Sequence, residues 1–458
     1  MVSRQPLALS TTSMRAFPRG GAVERILAAA LRAVDPYQAV RQALKLDGTL
    51  LTVAGRRYNL EDYRRVLVVG AGKAAAPMLQ AVSDGLGTRL AQAAVVTKEG
   101  HTLGVLPGDN LRMFEAGHPV PDERGLRAAR AIIELLNSAG EHDLVICLVS
   151  GGGSALLVSP SEGIALADLQ AMTTSLLCCG ASINQINTLR KHLDGLKGGG
   201  LARLAAPATL ITLLLSDVVG DPLDVIASGL TVPDPTNFQD CLQILARYQI
   251  ETTVPPNILR HLQRGAAGQI AETPKPGDPL FARVTNQVIA SNALAANAAL
   301  GQARAEGFNT LLLTTFLQGE ARQAGVFLAG ICRQAAATGQ PLARPACMLA
   351  GGETTVTLRG NGLGGRNQEL ALGAVSDLAG LENVLLVALA TDGGDGPSDA
   401  AGAVVSGETL ARAARLNLDP QAFLAANDAY HFFQPLGDLL QPGPTRTNVN
   451  DLAFLFVG

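Results

Sequence analysis

The chain predicts an α/β protein of two domains, a larger N-terminal domain with a Rossmann-like parallel sheet and a smaller α/β C-terminal domain, with the active site in the cleft between them. Three observations predict it. At 458 residues the chain exceeds what one hydrophobic core ordinarily supports. Short runs rich in Val, Ile and Leu alternate with Ala-rich helical stretches, the pattern of parallel strands covered by helices. And strand after strand runs directly into a cluster of glycines.

The elements follow in order. Val66–Val69, Ala93–Thr97, Leu144–Val149 and Leu210–Leu215 read as strands buried on both faces, because an unbroken apolar run of that length suits the middle of a parallel sheet. Gly125–Ala139 and Leu166–Cys178 read as helices between them. The stretch Gly265–Pro279, rich in Gly, Pro and charge, reads as a linker, which sets the domains at 21–264 and 280–458. Beyond it the alternation resumes with strands at Val288–Ser291, Thr310–Thr314, Ala346–Leu349 and Val384–Ala390. Residues 1–20 hold Arg4, Arg15 and Arg19 and no acid. They read as a flexible extension, although a transit peptide has the same bias.

Composition excludes several classes. With 36 basic and 39 acidic residues, no Trp and 4% aromatics, a stacking surface for single-stranded nucleic acid is not expected. The longest apolar runs are strand-length, so no membrane span is expected. Six cysteines without CxxC spacing suit reduced thiols and a cytoplasmic location.

Four glycine turns carry the chemistry: VLVVGAGKAA (66–75), ICLVSGGGSALL (146–157), CMLAGGETTV (347–356) and LATDGGDGPSDAAG (389–402). Open parallel sheets bind ligands beyond the carboxyl ends of their strands, and glycine lets backbone N–H groups approach an anion. Gly70, Gly72, Gly151, Gly152, Gly153, Ser154, Gly352 and Glu353 are therefore the candidates for holding a nucleotide. The first turn fits a loose G-x-G-x-x-A dinucleotide pattern, with Glu99 as the ribose acid. Lys73 points instead to phosphoryl oxygens, without a Walker A motif. Ser154 reads as a helix cap or a phosphate contact.

Asp217 and Asp221 follow the strand at 210–215 and suit magnesium ligation, or a base toward a hydroxyl in the case of Asp217. Asp392, Asp395 and Asp399 stand in a second such turn, where aspartates also start turns and cap helices. Arg366 follows a hinge-like glycine loop and offers a planar fork for oxyanions, with Asn367 beside it. Arg190 and Lys197 lie along a helix that stops at three glycines and are candidates for an acidic substrate; His192 reads as incidental.

Together VVGAGKAA, EAGHPVPDERG, LVSGGGSALL, NTLRKHLDGLKGGGLA, LLLSDVVGDPLDVIASGLTVPDPT, LAGGETTVTLRGNGLGGRNQELAL, ATDGGDGPSDAAGA and TRTNVNDL, spanning about 66–452, resemble the glycerate 2-kinases whose C-terminal half is the MOFRL domain. The resemblance implies ATP- and Mg2+-dependent phosphorylation of the 2-hydroxyl of D-glycerate, with Lys73 and Arg366 as the catalytic pair and Asp217 beside them. Some proteins similar to this one carry the name hydroxypyruvate reductase. The chain departs from the family at Thr445-Arg446-Thr447-Asn448, where TGTN is usual; a positive-φ turn there would strain Arg446. The oligomeric state, a homo-oligomer included, stays open.

Overall fold

The computed structural model describes residues 8–102 and 110–458. The chain falls into two compact units: Pro36–Ile289, and Ala290–Gly458 together with the N-terminal segment up to Asp35.

The first unit opens with an antiparallel meander of β1 (Lys45–Asp47), β2 (Leu50–Val53) and β3 (Arg56–Asn59). Its main sheet comprises β4 (Arg65–Ala71), β5 (Leu90–Lys98), β6 (Leu111–Ala116), β7 (Asp143–Val149), β8 (Thr209–Leu215) and β9 (Val284–Ala290), in the order β6-β5-β4-β7-β8-β9. The four pairings from β6 to β8 are parallel. Counted along the chain this is the doubly wound order 3-2-1-4-5-6. Every residue of β7 is buried, as are the last six of β4, so both strands read as continuous apolar runs in the sequence. Each buried Val or Leu there contributes about 1.5–3 kcal/mol. The order reverses between β4 and β7, and ligands of such sheets bind beyond the carboxyl ends at that reversal.

The second unit is built on β10 (Asn309–Leu317), β11 (Ala346–Gly352), β12 (Val384–Ala390), β13 (Gly402–Ser406), β14 (Leu439–Leu440) and β15 (Asp451–Val457), in the order β10-β11-β15-β12-β13-β14. Only β10 and β11 pair in parallel; the other four pairings are antiparallel. The expectation of a parallel sheet here is therefore corrected: β15, buried along its whole length, inserts antiparallel between β11 and β12. An unbroken apolar run announces burial but not direction.

Three boundary expectations change as well. Residues 265–279 are not a linker: Glu272 accepts from the Phe238 N–H at 3.0 Å and from His192, and Thr273 donates to Asp234 at 3.0 Å, all within the first unit. The strand expected to open the second domain is β9, in the first sheet, so the division falls at 289/290. Residues 8–20 of the supposed flexible extension are packed. Met14 is fully buried in the helix Thr12–Ala16, and the Ser13 N–H donates to Asp438 at 2.7 Å. Residues 1–7 lie outside the described residues.

Candidate functional site

In the first unit the turns after β4 and β7 are locked together. The Lys73 N–H donates to the Gly151 carbonyl at 2.9 Å, the Ala74 N–H to Ser150 Oγ at 3.0 Å, and the Ser150 N–H to the Ala71 carbonyl at 3.1 Å. Gly72 is required by this contact, since a Cβ there would lie 2.1 Å from Ser150 Oγ. The Lys73 and Ala74 amides, just before the helix Ala75–Leu86, are thus engaged within the turns. A pyrophosphate at that helix N-terminus, as the dinucleotide reading needs, would find them taken. Glu99, its proposed ribose acid, is paired with Arg124 at 3.1 Å. The N–H groups of Gly151 and Gly152, by contrast, have no hydrogen-bond partner among the described residues.

Side chains converge on those two glycines. A Cβ at 151 would lie 2.0 Å from the Asp217 carboxylate, which therefore rests directly on Gly151 from the turn after β8. A Cβ at 152 would lie 2.9 Å from His118 Cδ2 and 3.4 Å from Lys73 Cε. Gly152 also has φ +82°, so any other residue there would be strained as well as crowded. Among the described residues the Lys73 ammonium makes no salt bridge. Burial, with the charges of Lys73, Lys98 and His101, pushes His118 down to about 4, and the ring is neutral near pH 7. Sequence reasoning passed over His118; the signal was a His-Pro pair one residue past the end of β6. Ser154 does not cap its helix. Its hydroxyl pairs with Ser228 at 2.7 Å, and Ser228 donates to Asn187 at 3.0 Å.

In the second unit the carboxyl ends of β11 and β12 meet the amino end of β15, where Asp451 stands opposite both Gly352 and Ala390. Arg366, first residue of the helix Arg366–Leu378, binds Asp451 through two nitrogens at 2.5 and 3.2 Å and Glu353 through a third at 2.6 Å. Burial alone would lower the Arg366 pKa, but Asp451 and Glu353 hold it above its ordinary value. Burial raises Asp451 to about 7 against the pull of that guanidinium. Asp451 also went unnoticed in the sequence, where it merely opens an apolar run. Gly325 and Gly373 let the helix Ala321–Thr338 approach the Arg366 helix: a Cβ would lie 2.0 Å from the Leu370 carbonyl at one and 2.4 Å from the Arg322 carbonyl at the other.

Several expected roles change. Gly70 and Gly352 serve packing, since a Cβ would strike the carbonyls of Leu148 and Leu317 at 2.5 and 2.2 Å. Glu353 is engaged with Arg366. Lys197 is buried and bound to Asp194 at 2.7 Å and to the Leu157 carbonyl at 2.8 Å, as a residue that holds the fold would be. Asn367 is buried against Asp395, whose carboxylate accepts the Asn367 and Gln368 N–H groups and so caps the helix. The loop before Arg366 is pinned rather than hinge-like: Asn427 accepts from the Arg359 and Gly360 N–H groups, and Asp428 from Leu363. Arg190 is half-buried, its pKa lowered by burial against the pull of Asp194. Asp392 is exposed in its turn, and Asp221 sits at φ +55° in the turn after Asp217. Gly153 packs against Ala227. Arg446 adopts φ +65°, the left-handed conformation that the usual glycine would favour.

Fold and site define a two-domain α/β chain whose doubly wound half carries a lysine, an aspartate and open amides at its switch point. Two family models match it, "Domain of unknown function (DUF4147)" over residues 22–263 and "MOFRL family" over 346–451. The glycerate 2-kinase of Pyrococcus horikoshii is 42% identical over 94% of this chain and 96% of that protein. The D-glycerate 2-kinase of Thermotoga maritima is 42% identical over 93% and 95%. A putative hydroxypyruvate reductase of Agrobacterium vitis is 43% identical over 86% and 87%. The crystal structure of glycerate kinase from Thermotoga maritima superposes with a TM-score of 0.85 at 41% identity, over 95% of this chain and 98% of that one. The chain belongs to this DUF4147–MOFRL family, the family of the glycerate 2-kinases. Among the described residues no helix is long and apolar enough to cross a membrane.

Proposed function

We propose that this chain is an ATP-dependent kinase that phosphorylates the 2-hydroxyl of D-glycerate, giving 2-phosphoglycerate and ADP, in the cytoplasm. The observation that carries the reading is the convergence of Lys73, Asp217 and the open Gly151 and Gly152 amides at the switch point. A cation and two N–H donors suit the terminal phosphates of a nucleotide, and a carboxylate beside them suits a hydroxyl nucleophile or a metal. The glycerate 2-kinases among its relatives support the same chemistry.

In this reading Lys73 binds the transferring phosphoryl group. The glycerate 2-hydroxyl gives its proton to Asp217 or, where Asp217 holds magnesium, to solvent; its oxygen bonds to the γ-phosphorus, and the bond to the β-phosphate oxygen breaks to release ADP. Arg366 neutralises charge on the transferring group, and Arg190 or Arg366 receives the glycerate carboxylate. Magnesium, when bound with the nucleotide, neutralises phosphate charge. Among the described residues no cluster of three or more His, Cys, Asp or Glu is placed to cage a metal. Magnesium takes one or two carboxylates and fills its shell with phosphate and water. Asp217, with Asp221 four residues on, is the carboxylate this chain offers, as metal ligand or as base. The reductase reading loses support because the Lys73 and Ala74 amides of the first turn, and Glu99, are already engaged.

The test incubates purified protein with D-glycerate and MgATP and, separately, with hydroxypyruvate and NADH or NADPH. The expected outcome is ADP release with a product that enolase consumes directly. Product that needs phosphoglycerate mutase would keep the kinase and move the phosphate to the 3-position; nicotinamide oxidation without ADP would overturn the kinase.

A further inference from the structure

His118 reaches the switch point from the edge of the sheet. It follows β6, the outermost strand, yet its ring edge lies against Gly152 in the turn after β7, beside the Lys73 side chain. Neither imidazole nitrogen has a hydrogen-bond partner among the described residues, and the side chain is only partly exposed. A purely structural histidine in this chain looks different: His192 is buried with both nitrogens engaged, by the Thr188 carbonyl and by Glu272. A half-buried ring with open nitrogens, resting on the glycine that also carries Lys73, is placed to meet a ligand rather than to hold the fold.

We propose that His118 contacts the phosphoryl acceptor, its imidazole accepting a hydrogen bond from a hydroxyl of the hydroxy-acid substrate. Lys73 and the Gly151 and Gly152 amides are cation and donors, so they suit the anionic phosphates. None of these accepts a hydrogen bond from an alcohol; the Asp217 carboxylate, where it does not hold magnesium, accepts one. A neutral imidazole accepts one as well, and burial together with the cations around it keeps it neutral.

The inference rests on the kinase reading, and the experiment separates the two. Wild type, His118→Ala and His118→Gln are compared for KM toward D-glycerate and toward MgATP, with melting temperature and D-glycerate thermal shift as readouts without turnover. Loss of one hydrogen bond to substrate predicts a KM for D-glycerate raised about tenfold in His118→Ala. The KM for MgATP stays within about twofold, and His118→Gln, which keeps an acceptor, recovers part of the loss. A purely structural role would lower the melting temperature and move both constants together. An active wild type whose variants keep the glycerate KM, or shift the MgATP KM instead, overturns the assignment alone. A wild type that phosphorylates no hydroxy acid overturns the kinase reading and this assignment with it.

Discussion

The two strand-end clusters hold their cations in opposite ways. Lys73 leans on a glycine turn with no salt bridge among the described residues, while Arg366 is gripped by Asp451 and Glu353. An anion arriving at Lys73 displaces only water. One arriving at Arg366 meets a guanidinium already shared with two carboxylates, so that arginine is held in position at the cost of being less available. The first arrangement favours binding; the second favours order.

The comparison is broken most directly by truncating each cation. Lys73→Ala and Arg366→Ala are each expected to lower kcat/KM by about 10³-fold in the glycerate assay. Their stabilities should differ: Lys73→Ala changes little, about 0.5 kcal/mol or less in urea unfolding. Equal destabilisation by both would show that Lys73 is as firmly tied as Arg366. Removing the grip is the next largest effect. Asp451→Ala leaves a partly buried guanidinium with one carboxylate, and is expected to cost about 3 kcal/mol by the same measurement.

The pH dependence sharpens the contrast within the first unit. His118 titrates near 6.5 when unfolded and near 4 in the fold, so the unfolded chain binds the extra proton. The stability it permits is complete above about pH 6.5 and is lost as the pH falls toward 4. Unfolding of wild type and His118→Gln between pH 7 and 4.5 should show a shallower decline in the variant; parallel curves would mean the ring is not held neutral. The smallest effect is expected at Arg446, whose φ of +65° suits glycine. Arg446→Gly should stabilise by about 0.5–1 kcal/mol, read as a rise in Tm.

Much of this was legible in the residues. The run Val384–Ala390 predicts β12 to the residue, and Val66–Val69 predicts the centre of β4 (Arg65–Ala71), because strands buried on both faces are apolar without interruption. The positions of Lys73 and Asp217 at strand ends are legible too, because each follows an apolar run closely in the sequence, and that of Arg366 because it closes a glycine loop. What stayed hidden depends on partners distant along the chain. The insertion of β15, the role of Asp451 at its head and the reach of His118 across the sheet are set by which strands are neighbours, and local pattern does not encode that. Lys197 differs: its partner Asp194 is only three residues away, and what the local pattern hides is that both are buried.

The antiparallel insertion of β15 has a bearing on how the chain comes to be made. β11 and β12 pair with it and not with each other, and it is the last of the six strands along the chain. During synthesis the second sheet therefore waits in two halves, β10-β11 and β12-β13-β14, until β15 emerges to join them. The helical segment up to Asp35, made first, waits longest for the unit it belongs to. The first unit, continuous from Pro36 to Ile289, has no such delay and is free to fold while its neighbour is still being translated.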